Sequence, residues 1–183
     1  MNPIAPGLKT VAICILLFVM KTERVSVHAG SGAEPSKSAC GALERRQFDF
    51  WAGDWDAYDA DNLTKVVARC RVDIILDGCV LREEYKDTNG LKGQSFSIYD
   101  ASRKLWHQSW VTNQGRLLVI EGRFEHGEMV LTGVDRTPNG EERYVRGTWK
   151  PVAGGVRETA VISTDGGKSW KPWFDLVFRP HKL

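Results

Sequence analysis

Ten residues, Gln47-Phe48-Asp49-Phe50-Trp51-Ala52-Gly53-Asp54-Trp55-Asp56, constrain this chain more than any other stretch. They crowd the rings of Phe48, Phe50, Trp51 and Trp55 together just before the first alternating apolar run. Rings at that density suit the tapered, closed end of a small β-barrel, and Gly53 lets the backbone bend where a Cβ would clash. Downstream of this plug the signals are all β. Upstream lie a leader and a linker.

From Trp55 onward apolar and polar residues alternate with period two, and turn residues recur every eight to twelve positions. The pattern predicts ten strands, over 54–60, 65–76, 79–86, 92–100, 104–112, 115–125, 128–135, 141–150, 155–164 and 169–179. Asp77-Gly78, Asn89-Gly90, His126-Gly127, Asn139-Gly140, Gly154-Gly155 and Gly166-Gly167 supply residues that tolerate positive φ between them. No segment sustains a helical period, and residues 41–50 have room for one turn. Ten antiparallel strands in sequence order leave two raw edges unless the sheet closes. The expected fold is therefore all-β, a closed antiparallel up-and-down barrel of about ten strands.

The N-terminus reads as an export signal. Lys9 precedes the apolar run from Val11 to Met20, which is too short to cross a bilayer as a helix. Val27-His28-Ala29 offers small residues where a signal peptidase reads. The division is a signal peptide over 1–29, a flexible Gly/Ser/Ala linker over 30–39, and a barrel domain over 40–183, in a secreted or periplasmic protein. Lys21, Glu23 and Arg24, lying between the apolar run and the cleavage site, keep an uncleaved membrane anchor as the alternative.

Of the 183 residues, 25 are basic and 23 acidic, and the leader holds three of the former and one of the latter. The mature domain is thus balanced and has no basic block. That argues against nucleic acid, and against anionic membrane surfaces or stable membrane insertion once the leader is gone. The oligomeric state leaves no mark on the sequence.

Cys40, Cys70 and Cys79 follow the leader, and an exported chain meets oxidising surroundings. Three pairings are open. Cys70 falls on the apolar face of an alternating run, where a free Cys serves as a small hydrophobe. Cys79 opens the next strand, and Cys40 sits on chain that can reach it, so Cys40–Cys79 is favoured.

Alternation also singles out candidate lumen residues. Trp106, Gln108 and Trp110 share one face, and Leu81, Glu83 and Tyr85 share another. If both point inward, Glu83 and Gln108 are polar groups in a largely apolar cavity, as in a small-molecule site. A buried carboxylate needs a partner, and Arg146, Arg157 and Arg123 are the candidates. The simplest function is binding of a small apolar or amphipathic ligand. An isomerase or cyclase is the alternative, with Glu83 as acid or base and Gln108 orienting the substrate. A structural bridge in a side-chain-filled barrel is the blandest outcome.

Other chemistries find less support. His107, His126 and His181 are scattered without metal-ligand spacing, so no metal or other cofactor is expected. Asp49, Asp54 and Asp56 read as turn and strand-edge residues. There is no nucleophile elbow, P-loop or dinucleotide fingerprint.

Several motifs carry a resemblance. Gly53-Asp54-Trp55 is similar to the Gly-x-Trp signature of lipocalins and their calycin relatives, in which the Trp packs against an Arg from the last strand. Arg179 matches that Arg by position. The chain more closely resembles a family of uncharacterised, mostly bacterial, exported lipocalin-like proteins. The shared pieces are Arg46-Gln47-Phe48-Asp49-Phe50-Trp51-x-Gly53-x-Trp55, Gly78-Cys79-x-Leu81-x-Glu83, Tyr99-Asp100, Trp106-x-Gln108-x-Trp110-Val111 and Ser163-x-Asp165-Gly166-Gly167-x-x-Trp170. They run in order across residues 40–179. The resemblance places Cys at 40 and 79, in line with the favoured pairing. Thr112-Asn113 and Ala160-Val161 depart from the family's pattern, which implies a lumen of different shape and charge. Because that family has no established activity, the likeness implies a fold and leaves the function open. The segment from Ser163 to Trp170 also fits the Asp-box hairpin known from sialidase propellers. A single copy is read as structural, with Asp165 bonding the turn's N–H groups and Trp170 packing beneath.

Overall fold

The computed structural model describes residues 40–137 and 139–182. The signal-peptide and linker readings over 1–39 lie outside the described residues. Ten strands follow one another: β1 (Gly53–Asp59), β2 (Asn62–Ile75), β3 (Val80–Asp87), β4 (Lys92–Asp100), β5 (Leu105–Thr112), β6 (Leu117–Glu125), β7 (Glu128–Arg136), β8 (Glu142–Val152), β9 (Gly155–Ser163) and β10 (Lys171–Pro180). Each pairs antiparallel with its predecessor, and β1 pairs with β10, so the sheet closes into an up-and-down barrel without edges. The expected boundaries differ from the observed ones by at most three residues. The turn signals work through positive φ, as at His126 (53°) and Gly127 (84°) between β6 and β7.

Two short 3-10 turns, Leu43–Arg46 and Asp49–Trp51, carry the aromatic plug across one end. Phe48 is fully buried and meets Trp106 edge-on at 5.7 Å and Trp149 at 5.5 Å. Phe50 reaches Phe124 on β6 at 6.1 Å. The plug is fastened from outside by a Cys40–Cys79 disulfide, with Cα atoms 5.0 Å apart, which ties it to the turn between β2 and β3. Arg46 adds a 2.9 Å hydrogen bond to the Gly78 carbonyl in that turn. Cys70 is buried and free, as its place on the apolar face of β2 predicts.

One expected contact is absent. Trp55 faces inward, stacked on Trp51 at 6.0 Å and donating its indole N–H to the Trp51 carbonyl at 3.1 Å. Arg179 sits opposite Asp56 in the register, one residue out of phase with Trp55, and is therefore on the outer surface. There its guanidinium lies 5.3 Å from the Tyr58 ring. Phe178, fully buried and 4.6 Å from Trp51, occupies the base position expected of Arg179. Main-chain pairing of β1 with β10 closes the seam, and an apolar ring backs it.

Candidate functional site

The plug fills only one end. Above it, towards the hairpins that join β1 to β2, β3 to β4 and β5 to β6, the lumen holds a cavity of about 530 Å³. Strand parity decides its lining. On β3 the inward residues step from Leu81 at the plugged end through Glu83 to Tyr85, and on β5 from Trp106 through Gln108 to Trp110. Glu83, Tyr85, Gln108 and Trp110 line the cavity as expected. Leu81 and Trp106 face inward too, but they belong to the closed core below it. Trp106 is sealed between Phe48 and Tyr99 and bonds Gln47 through its indole N–H at 3.3 Å.

Arg146 is not in the cavity. On β8 the inward positions are Val145, Gly147 and Trp149, so Arg146 points outward and stacks 4.2 Å over Trp170. Arg157 is likewise outside, paired with Asp175, and Arg123 is exposed. Parity excludes all three proposed partners of Glu83. What Glu83 meets instead is the Ser95 hydroxyl, donating at 2.7 Å, and the Cys70 thiol at 3.5 Å. Among the described residues it forms no ion pair. Burial pushes its carboxyl above the ordinary value of 4.5, with the Ser95 and Cys70 hydrogen bonds opposing.

A second carboxylate shares the lumen. Glu158, the inward residue of β9 between Val156 and Ala160, lines the same cavity from across the barrel. Its carboxyl is pushed well above the usual range, first by burial and then by the charge of Glu83, while a hydrogen bond from Trp149 opposes. The sequence signals it as one charge on the otherwise apolar face Val156-Glu158-Ala160-Ile162, and the expected site omits it. Gln108, 4% exposed, donates an amide N–H to the Ser97 hydroxyl at 3.0 Å, which leaves its carbonyl oxygen free on the cavity side.

Trp149, Trp173, Phe174, Leu118, Ile120 and Leu176 join Tyr85 and Trp110 in the apolar wall, and Asp59, Lys65, Asp87, Thr88, Asn89 and Arg116 add polar groups to the lining. Gly93 makes room for one of these rings, since a Cβ there would lie 2.2 Å from Trp110. Near the mouth, Arg116 and Arg143 both bond the buried Asp135, at 2.6 and 2.7 Å, and both guanidinium groups lie over Trp173. This pair of cations is thus engaged with its own counter-ion.

The remaining expected residues are structural. Asp165 accepts hydrogen bonds from the Lys168 and Ser169 N–H groups at 3.0 and 2.9 Å and from the Ser169 hydroxyl at 2.6 Å. Those donors hold its carboxyl far below the usual range, and Trp170 bonds the Gly167 carbonyl at 3.1 Å. His107 and His181 pair with Glu121 and Asp56 on the outer face, and His126 lies in a turn. Among the described residues no group of three or more potential ligands could hold a metal, and no helix is long and apolar enough to cross a membrane. In comparisons with known proteins, the chain matches no family model and no curated protein.

Proposed function

We propose that this protein is an exported carrier that holds a small apolar or amphipathic molecule in its barrel lumen without catalysis. The observation that carries this reading is the cavity of about 530 Å³, walled by aromatic rings and furnished with a few convergent polar groups. A disulfide suits an oxidising compartment, and the leader supplies a route to one. The lipocalin-like motifs agree with the carrier reading but do not name a ligand.

N-Phenylnaphthylamine, a neutral apolar fluorophore, tests it by titration. Saturable binding with energy transfer from tryptophan is expected, reduced by Trp110→Phe and by Trp149→Phe and retained by Trp106→Phe, whose ring lies beneath the cavity. No saturation, or a response indifferent to Trp110 and Trp149, overturns the reading. One observation favours the catalytic alternative: Glu83 and Glu158 both hold protons more tightly than ordinary carboxyls, as a general acid must. In that case Glu83→Gln abolishes turnover and leaves binding largely intact, with Gln108 orienting the substrate.

A further inference from the structure

The cavity has a polar belt at mid-depth, and its composition is one-sided. Glu83 enters it from β3 and Glu158 from β9, four strands away round one side of the ring and six round the other, so the two carboxyls look across the lumen. Gln108 adds a carbonyl oxygen without a protein partner among the described residues. The belt therefore presents three acceptor groups to the cavity, beside the second N–H of the Gln108 amide. Of the cations that line this space, Arg116 is bound to Asp135 and Lys65 sits on an exposed position at the mouth. Two carboxyls enclosed together cannot both ionise cheaply without a counter-charge, and among the described residues neither Glu83 nor Glu158 forms an ion pair. The wall around them includes Tyr85, Trp110 and Trp149, whose ring faces attract cations.

We infer that the carried molecule bears a protonated amine on an apolar or aromatic body, and that the ammonium seats between Glu83 and Glu158 with the Gln108 carbonyl as a further acceptor. This deepens the carrier reading and rests on it. An alkylammonium has three N–H donors and the belt offers three acceptor groups, which is the match a buried polar layer requires. The ammonium also supplies the charge that the carboxyl pair lacks. The apolar body is left to the rings, Leu118 and Ile120 above.

Calorimetric titration at pH 7.5 of the disulfide-bonded protein tests the inference with matched probes. Octylamine and phenethylamine are compared with octanol and 2-phenylethanol, and with nonanoate and 3-phenylpropionate. The amines should bind at least about tenfold more tightly than the alcohols, and the carboxylates most weakly. Glu83→Gln and Glu158→Gln should each weaken the amines by about 10- to 100-fold, the range of a charge-assisted hydrogen bond. Both variants should keep alcohol affinity within about threefold, which shows that the cavity is still formed. Alcohols or carboxylates binding as tightly as the amines, or amine affinity indifferent to both substitutions, overturns the amine and leaves the carrier standing. If no probe of any charge binds, the carrier reading falls with it.

Discussion

The indole of Trp51 meets the ring of Phe178 edge-on, with centroids 4.6 Å apart, and so joins the plug to the last strand of the barrel. Both side chains are buried, and Trp55 also stacks on Trp51. Trp51→Ala should therefore cost about 3–5 kcal/mol, the range for removing a buried large aromatic. Arg179→Ala, which loses only an exposed contact to Tyr58, should cost about 0.5–1 kcal/mol or less. Urea denaturation of the two variants measures both. Equal costs would restore Arg179 to the barrel base.

The disulfide is the second fastening of the plug. Cys40 and Cys79 are 39 residues apart in sequence, so their link removes considerable freedom from the unfolded chain. Cys79→Ser should lower stability by about 2–4 kcal/mol. Peptide mapping without reduction should recover Cys40 joined to Cys79, with Cys70 alkylated only once the barrel is unfolded.

The carboxyl pair makes a prediction about pH. Glu83 faces Cys70 on β2, Ser95 on β4 and Glu158 on β9, and burial raises both carboxyls above their unfolded value of 4.5. Below that value both are protonated whether folded or not, and the native state has no penalty. As pH rises past it the unfolded chain releases protons that the fold retains, so this contribution to stability declines. Asp73, Glu121 and Asp175, held low chiefly by arginine partners, act in the opposite sense as pH falls. The difference between wild type and Glu158→Gln cancels them. Urea denaturation from pH 4 to pH 8 should show the variant gaining on the wild type as pH rises. A constant difference would mean that Glu158 ionises normally.

The barrel was legible because period-two alternation and positive-φ turns are local signals, and closure follows from having no other way to hide two edges. The Trp106 and Glu83 faces point inward for the same reason. How deep a residue lies was not legible. Trp106 and Trp110 share a face, yet Phe48, distant in sequence, covers the first and leaves the second open. Partners across the lumen escaped for a related reason. Charge alone pairs Arg146 with Glu83, whereas its parity on β8 places it outside beside Trp170. Glu158 carries a legible signal of its own, a lone charge on an otherwise apolar strand face.

If the lumen is a binding site, as proposed, then blocking it must empty it. Ala160 lines the cavity on β9 beside Glu158, and Ala160→Phe fills part of it without altering charge. Native mass spectrometry of wild type and variant, each purified from the cells that make the protein naturally, reads occupancy without knowledge of the ligand. A bound ligand should appear as an adduct of small-molecule mass on the wild type that Ala160→Phe loses while remaining folded. A wild type without any adduct, or an adduct that persists in the filled variant, would contradict the proposal.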